Sequence, residues 1–335
     1  MINPIKSIFR QSHRSDTCKL NILCGATHER TETNMAKTGH NFYAIDGEHI
    51  KGWNTDFAPM PSNYTLLNSP EPPAWVEFDL VLSQNKFGQF EPLSNLARQM
   101  HLPLVSLEHT LPFIGWSEEH VEHLRNLRGD INVFISDFSI KEWGWTTEKD
   151  DTVVVTHMVD TDLFKPSDHD VRNQYGLSVV NDWINRDWCC GFKIWQRVTK
   201  DMPVKVRGDT EGLSTSTKTT AELIQEYQQA SIFVNTSTIS PVPTVMLEAM
   251  ACECAVVTTA TCMIPEIIID GHNGFISNDE TELREKFQYL LDNPKVAREL
   301  GQNARKTILN NFAEDRYVKQ WNDIFNQVKN TVFTG

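Results

Sequence analysis

The sequence contains no apolar run long enough to span a bilayer, and its first residues, MINPIKSIFRQSHRSD, include no stretch that resembles a signal peptide. A basic amphipathic helix of the kind that attaches enzymes to membrane lipids is also missing. We therefore expect a cytoplasmic protein with no stable membrane association.

Several motifs for cofactors, nucleotides and metals are absent as well. No G-x-G-x-x-G follows a predicted strand and no G-x-x-x-x-G-K-[ST] exists, which argues against nicotinamide dehydrogenases and P-loop enzymes. The seven cysteines form no C-x-x-C pair, and no Asp-x-Asp motif lies in a loop suited to a metal. The thiols are expected to be reduced packing groups, because even the adjacent Cys189 and Cys190 bridge each other only with strain. No obligatory cofactor or metal is predicted.

The charge balance is strongly acidic. The 44 acidic residues outnumber the 31 Lys and Arg, for a formal net charge of −13. This charge opposes general attraction to nucleic acids and anionic membranes. Residues 1–37 carry a local excess of basic side chains, which is most simply an ordinary solvated terminus and leaves a local basic surface open.

What the chain does contain is an alternation of strand-like runs with amphipathic stretches. At 335 residues it exceeds the usual size of one core, so two domains are expected. The alternation predicts the α/β class, with two Rossmann-like doubly wound domains facing each other across a cleft. The polar, proline-containing segment 160–170 marks the break. It separates a domain over 1–160 from one over 161–335, whose last helix we expect to pack back on the first.

Individual elements follow from local signals. The predicted strands of the first domain are 20–24, 41–45, 79–83, 102–108 and 131–136, and those of the second are 177–180, 202–206, 231–235, 254–259 and 273–277. Thr31 is predicted to cap a short helix that Gly39 ends. Residues 47–73 show no periodicity and are interpreted as an irregular insertion, and from Asp279 onward the chain is predicted to be helical.

The stretch SPVPTVMLEAMACECAVVTT, residues 240–259, is the most informative. Thr244 is predicted to cap a helix over 245–251 whose free backbone N–H groups, at Thr244 and Val245, suit a phosphate. Glu248 lies one turn inside this helix among apolar neighbours. Its carboxylate can accept two hydrogen bonds from a vicinal diol such as ribose, whereas the alternative is an ordinary exposed helical glutamate.

The segment 243–279 together with THMVDTDLFKP, residues 156–166, resembles the donor-binding region of glycosyltransferase family 4. The likeness is strong over about 151–320 and weaker before it. It implies the GT-B fold, a nucleoside-diphosphate sugar bound mainly by the second domain, with a UDP-sugar favoured, and transfer with retention at the anomeric carbon. The enzyme would then be a hexosyl- or pentosyltransferase.

Residue by residue, the resemblance assigns Glu248 to the family glutamate that binds the ribose. The family glutamate that contacts the transferred sugar falls on Ser240, and a usual glycine is Pro243, which puts the common hexose donors in question. Arg186 matches the arginine that neutralises the leaving diphosphate. The accompanying lysine is replaced by Cys190, which leaves Lys193 as a weak substitute.

The resemblance also implies roles for residues of the first domain. His109, at the end of a predicted strand, matches a histidine that approaches the transferred sugar, and Glu108 beside it is a possible helper on the acceptor side. Gly25 lies in the turn that, in the family, runs near the donor phosphates, and it is followed by three residues expected to face the acceptor. These are His28, Glu29 and Arg30. An ordinary packing or capping role remains open for each.

No obvious catalytic base is present, in keeping with front-face attack in which the leaving diphosphate accepts the acceptor proton. The acceptor is a hydroxyl of a soluble glycan, a small molecule or a protein, or a hydroxymethylated base in viral DNA. Two other functions remain: a nucleotide-sugar epimerase on the same scaffold, and a non-catalytic two-lobed sugar-binding protein.

Overall fold

The computed structural model describes residues 19–45, 52–146, 152–168 and 172–329. These residues divide into two compact units. The first takes its described residues from Met1–Thr156 and Tyr317–Gly335, and the second from His157–Arg316. The part of residues 47–73 before Gly52 and the N-terminal basic stretch before Lys19 lie outside the described residues.

The first unit contains a parallel sheet of seven strands. The strands are β1 (Asn21–Gly25), β2 (Asn41–Ile45), β3 (Tyr64–Leu67), β4 (Leu80–Ser83), β5 (Leu104–Glu108), β6 (Ile131–Phe134) and β7 (Thr152–Val154). Their order in the sheet is β3-β2-β1-β4-β5-β6-β7. The helices that follow them are α1 (Glu29–Ala36), α2 (Phe90–Met100), α3 (Glu118–Arg125) and α4 (Asp137–Glu142). Strands β1, β4 and β5 are buried on both faces, as expected for parallel strands covered by helices.

The second unit contains a parallel sheet of five strands. These are β8 (Asn173–Val179), β9 (Val204–Arg207), β10 (Ala230–Asn235), β11 (Ala255–Thr258) and β12 (Phe275–Ile276), in the order β12-β11-β10-β8-β9. Its helices are α5 (Asp187–Cys190), α6 (Phe192–Val198), α7 (Thr220–Gln229), α8 (Thr244–Ala251), α9 (Ile264–Ile267), α10 (Glu280–Asp292) and α11 (Pro294–Asn311). Side chains of the sheet, α6, α10 and α11 form its main apolar core.

The last helix, α12 (Glu314–Lys329), supplies side chains to the first unit. The ring of Phe325 contacts those of His40 and Phe42, with centroids 5.5 and 6.4 Å apart. Trp321 and Phe325 are both fully buried. The amphipathic pattern of this helix therefore buries its apolar face against β2 and the residue before it.

The predicted α/β class with two Rossmann-like domains is confirmed, and every predicted strand is present in some form. Several local predictions were wrong. Residues 47–73 are not wholly irregular, because β3 pairs in parallel with β2 at the sheet edge. The helix α1 begins at Glu29 and not at Thr31, since the His28 Nδ1 caps it by accepting from the Arg30 N–H (3.3 Å). Strand β7, which was not predicted, adds a further strand to the first sheet next to β6.

Candidate functional site

The candidate site of the second unit lies where β8, β10 and β11 end. Parallel strands have their carboxyl ends at one edge of the sheet, and open α/β sheets bind ligands there. The loop after β8 carries Arg186, and the loop after β10 carries Ser240 and leads into α8. Hydrogen bonds join the three loops into one connected surface.

The loop after β8 is held against the end of β10 by a close backbone approach. Gly191 has a φ of +63°, and a Cβ at this position would lie 2.0 Å from the Thr236 carbonyl oxygen. The Thr236 hydroxyl donates to the Gly191 carbonyl (2.9 Å). The fully buried Trp183 donates its Nε1–H to the Cys190 carbonyl (2.8 Å). Only glycine fits at position 191, because both the left-handed φ and the contact exclude a side chain.

The same loop is bound to the turn that follows β10. The N–H groups of Thr238 and Ile239 both donate to the Cys189 carbonyl, at 2.8 and 3.1 Å. The Thr238 hydroxyl donates to the Trp188 carbonyl (3.0 Å). The segment that carries Arg186 and the proline-containing turn before α8 are therefore fixed to each other.

The loop after β11 completes the connection. Hydroxyl groups of Thr259 and Thr261 donate to the Ser237 carbonyl, at 2.5 and 2.7 Å. The Met263 N–H donates to the Pro241 carbonyl (3.3 Å). Hydrogen bonds to both neighbouring loops thus hold the turn that leads into α8.

The helix α8 begins at Thr244, one residue earlier than predicted. Pro243 is the N-cap and supplies no side-chain cap, so the prediction that Thr244 caps the helix was wrong. Thr244 is exposed, and Val245 and Ser240 are half-buried. Because the first N–H groups of a helix have no intrahelical acceptor, those of Thr244 and Val245 are suited to an anion.

Glu248 is buried one turn further into α8, with 6% of its surface exposed. Its Oε2 accepts a hydrogen bond from the Tyr227 hydroxyl (3.0 Å). Tyr227 is fully buried and packs against the rings of Phe164 and Phe233. The alternative of an ordinary exposed helical glutamate is therefore wrong, and Tyr227 is an internal partner of the carboxylate. Ribose binding by Glu248 stays a prediction.

The basic side chains of this site differ in their surroundings. Arg186 is exposed, and its guanidinium reaches the Asn181 carbonyl at 3.4 Å. The Lys193 ammonium lies 3.4 Å from the Asp187 carboxylate, which also accepts from the Lys193 N–H (2.8 Å). The hydrogen bond from the Lys193 backbone lowers the pKa of Asp187. Asp187 thus balances the charge of Lys193, whereas Arg186 extends towards solvent.

Two thiols lie beneath Arg186. The Sγ atoms of Cys189 and Cys190 are 3.5 Å apart and both residues are buried. The hydrogen bond between them lowers the pKa of Cys189 to about 6 and raises that of Cys190. They form no disulfide, as predicted.

In the first unit, the turn after β1 is more enclosed than predicted. A Cβ on Gly25 would lie 2.6 Å from the Gln89 side-chain oxygen, so the small residue at this position makes room for Gln89. His28 is exposed and Arg30 is half-buried. Glu29 is 7% exposed and accepts from the Asn54 N–H (3.0 Å), so its predicted open position was wrong.

A second buried carboxylate of this turn, Glu32, was not identified from the sequence. Its Oε1 accepts from the N–H and the hydroxyl of Thr27 (2.9 and 2.7 Å) and from the Gln84 amide (2.8 Å). Burial raises its pKa. Glu32 therefore fixes the shape of the turn. Its partner Gln84 is 52 positions away, and no local pattern indicates such a contact.

The carboxylate of Glu108, at the end of β5, is also internal. It is 1% exposed and accepts from the Lys86 N–H, the Thr110 N–H and the Thr110 hydroxyl, at 2.7, 2.7 and 2.6 Å. Burial raises the pKa of Glu108. The expectation that it faces an acceptor was wrong. His109, the next residue, is half-buried.

Within the described ranges, no group of three or more His, Cys, Asp or Glu side chains is arranged to hold a metal ion. No helix in this part of the chain is long and apolar enough to cross a membrane.

Sequence comparison connects the second unit to known enzymes. Residues 214–307 match the family described as "Glycosyl transferases group 1". The trehalose synthase of Thermococcus litoralis is 30% identical over 140 residues, which cover 42% of this chain and 32% of that protein. The alpha-maltose-1-phosphate synthase of Mycolicibacterium smegmatis is 35% identical over 107 residues, 30% of this chain and 28% of that protein. The chain thus matches about a third of the length of these relatives.

Solved structures resemble almost the whole chain. Anabaena Alr3699/HepE in complex with UDP superposes with a TM-score of 0.73 at 16% identity, covering 92% of this chain and 100% of that one. The sucrose-phosphate synthase of Thermosynechococcus elongatus gives a TM-score of 0.75 at 13% identity, covering 92% and 99%. At these identities the likeness shows the fold alone, which is the GT-B arrangement of two Rossmann-like domains.

Proposed function

We propose that this protein is a glycosyltransferase that moves a sugar from a nucleoside-diphosphate sugar to a hydroxyl acceptor. The observation that carries the proposal is the joined surface at the edge of the second sheet. There an exposed helix N-terminus at Thr244 is hydrogen-bonded, through the turn before it, to the loop that carries Arg186. A diphosphate bears the charge that both of these groups attract.

In this proposal the diphosphate lies on the N–H groups of Thr244 and Val245, and Arg186 stabilises the charge that develops on it as the sugar departs. Such a site promotes departure of the leaving group by electrostatics alone. Glu248 binds the ribose hydroxyls, and Tyr227 holds its carboxylate in position. Ser240, in the turn before α8, lies beside the sugar.

The nucleotide that we favour is UDP. The Anabaena protein with the same fold has been crystallised with UDP and with UDP-glucose, which supports a nucleotide sugar as donor. Retention at the anomeric carbon is part of the proposal, because residues 156–166 and 243–279 resemble the donor-binding region of the retaining glycosyltransferase family 4. The acceptor that we propose is a soluble hydroxyl compound, since a hydroxymethylated base in DNA finds no support among these observations.

A thermal-shift panel of UDP, GDP, ADP and their sugars tests the donor site. One diphosphate at about 100 times its Kd stabilises the protein by about 2.7 kcal/mol, a rise in Tm of roughly 5 to 10 °C. We expect Glu248→Ala to lose most of this shift and Tyr227→Phe to lose part of it. Glu299→Ala, an exposed helical glutamate of the same unit, is the control and keeps the shift.

Three results would contradict the proposal. An unchanged shift in Glu248→Ala removes its ribose role. A protein that no nucleoside diphosphate stabilises, but that free sugars do, is a sugar-binding protein and not a transferase. Interconversion of free nucleotide sugars without any acceptor would instead identify an epimerase.

A further inference from the structure

A cluster of large side chains, most of them aromatic, lies on two loops of the first unit and in the first turn of α3. We call it the aromatic platform, and it consists of Phe87, Phe113, Ile114, Trp116 and His120. The ring of Trp116 is central, with centroids 5.1 Å from Phe87, 6.0 Å from Phe113 and 5.1 Å from His120. Phe87 also contacts His120 at 5.9 Å.

The platform faces solvent. Phe87, Phe113 and Ile114 are 54%, 39% and 75% exposed. Large apolar side chains gathered in one exposed place, as opposed to scattered singly, indicate a binding surface.

The platform lies at the ligand-binding edge of the first sheet. Phe87 follows the end of β4, and Phe113 to Trp116 follow the end of β5. These strands are neighbours in the sheet. Both loops therefore emerge at the carboxyl edge, where open α/β sheets bind small ligands.

The buried Glu108 carboxylate holds the two loops together. One of its oxygens accepts from the Lys86 N–H, directly before Phe87, and the other accepts from the N–H and hydroxyl of Thr110, at the start of the second loop. Trp143 adds a hydrogen bond from its Nε1–H to the Thr110 carbonyl (3.0 Å). The backbone under the platform is thus positioned before any ligand arrives, which lowers the entropic cost of binding.

The position of the Phe113 ring depends on a small residue in the same loop. A Cβ on Gly115 would lie 2.4 Å from the Phe113 Cε1, so the ring rests over this glycine. The Trp116 N–H donates to the Phe113 carbonyl (2.9 Å), which closes the turn. Both rings are therefore presented by one tight turn.

The size and charge of the platform indicate the class of its ligand. The side chains of Phe87, Phe113, Ile114 and Trp116 together expose on the order of 400 Å² of surface. This is about half of the area that each partner buries in a stable protein interface. Its rim carries exposed acidic residues, Glu118 and Glu119 in the first turn of α3 and Glu91 beside His123. An acidic rim repels anionic lipid surfaces and nucleic acids. An uncharged ligand with an apolar face matches the exposed rings and is not repelled by this rim.

Resting on the proposed glycosyltransferase function, we propose that the aromatic platform binds the acceptor, and that this acceptor is a soluble, uncharged saccharide whose pyranose ring stacks on Phe87, Phe113 and Trp116. A pyranose has an apolar face of C–H groups and a rim of hydroxyls. It therefore matches a site with flat apolar walls at a wet edge. Glu108 is a positioning residue, since it acts through the two loops.

Binding of saccharides in the absence of any donor tests this inference. The probes are the methyl α- and β-pyranosides of glucose, galactose and N-acetylglucosamine and the corresponding disaccharides, with the Kd measured by ligand-observed NMR. We expect at least one of them to bind, and its Kd to rise about tenfold in Phe87→Ala and in Phe113→Ala. Gly115→Ala, which displaces the Phe113 ring, gives a similar rise.

Trp75→Ala is the control. Trp75 is 86% exposed but precedes β4, so it lies towards the opposite edge of the same sheet. Its replacement leaves the Kd unchanged. Near-native unfolding transitions of Phe87→Ala and Phe113→Ala, whose rings are largely outside the core, show that any loss of binding is local.

Three outcomes would overturn the inference. The first is that no saccharide of the panel binds, and the second is that Phe87→Ala and Phe113→Ala bind as wild type does. The third is that the protein sediments with vesicles of equal parts phosphatidylcholine and phosphatidylglycerol and loses this property in Ile114→Ala, which would make the platform a membrane contact. Because the assay uses no nucleotide, stabilisation by UDP without saccharide binding refutes only the platform. Saccharide binding without stabilisation by a nucleotide refutes only the transferase.

Discussion

Both sheets are parallel, but their carboxyl edges treat charge in opposite ways. At the second edge the charged groups Arg186 and Lys193 are exposed, and an open helix N-terminus lies beside them. At the first edge Glu32 and Glu108 are almost completely buried, and each accepts several hydrogen bonds from neighbouring loops. The exposed groups of the first edge include aromatic rings.

Under the proposed function, this difference gives the two domains different tasks. Exposed cations and free N–H groups attract a polyanion such as a diphosphate. Buried carboxylates instead act as acceptors for backbone N–H groups, so they determine the shape of loops and add no net charge to the surface. The first edge can then recognise an uncharged ligand by shape.

The largest expected effect concerns the closely packed glycine of the second edge. Gly191→Ala places a Cβ against the Thr236 carbonyl and forces a left-handed φ on alanine, so we expect the free energy of unfolding to fall by more than ~3 kcal/mol. Gly212 has a φ of +74° but no atom within 4 Å of its Cβ position, so Gly212→Ala costs only ~1 kcal/mol. Urea denaturation measures both. Equal losses would mean that the contact with Thr236 is unimportant.

The second largest effect tests whether the buried Glu108 carboxylate has a bracing role, that is, whether it stabilises the two loops of the first edge. Glu108→Ala leaves the N–H groups of Lys86 and Thr110 without their acceptor, and we expect a loss of about 3 kcal/mol of stability by urea denaturation. Glu142→Ala, an exposed glutamate of the same unit, changes stability by less than about 0.5 kcal/mol. A loss in Glu108→Ala no larger than that of the control would refute the bracing role.

The exposed arginine of the second edge is expected to matter for turnover and little for stability. Arg186→Ala lowers kcat with a UDP-sugar by about 10²- to 10³-fold, because it removes one preorganised partner of the departing charge. Arg197, near the end of α6, has the same charge but forms an ion pair with Glu280. We therefore expect Arg197→Ala to keep kcat within a factor of about two. If the two variants lose turnover equally, net charge and not position explains the effect.

The smallest expected effect is a pH dependence of stability from Lys86, which is 1% exposed at the first edge. Burial lowers its pKa to about 8. Unfolded lysine keeps its proton up to a pH of about 10.4, so between these values the unfolded state binds more protons and stability rises with pH, by at most ~1.4 kcal/mol per pH unit.

Lys86→Met should abolish this rise, whereas Lys141→Met, an exposed lysine of the same unit, should keep it. Denaturation at a series of pH values between about 8 and 10.4 measures the difference. A rise that persists in Lys86→Met would mean that other groups cause it.

The fold was predictable to a large extent because its signals are local. The strand over 41–45 was predicted with its observed bounds, and 231–235 differs by one residue from β10. Continuous apolar runs between turn residues are the local signal that makes the bounds of such strands predictable. The edge strand β3 was missed, since it has four residues and only Tyr64 is buried.

The candidate site was predictable only in part. The position of Glu248 in a helix that follows a strand and a turn could be read from the sequence, and so could the place of Arg186 in the loop after β8. The partnership of Glu248 with Tyr227 could not, because 21 positions separate them along the chain. Glu108 and Glu29 were predicted to be open to an acceptor, yet both are bonded inside the unit.

The sequence by itself determined the two sheets, the turn before α8 and the residue types at the second edge, because periodicity, proline and chain order act over a few neighbouring residues. Only the tertiary structure decided which carboxylates are buried and what they bind. The protonation and the role of a carboxylate depend on solvent exposure and on donors from distant segments, and these exist only after the loops have packed together.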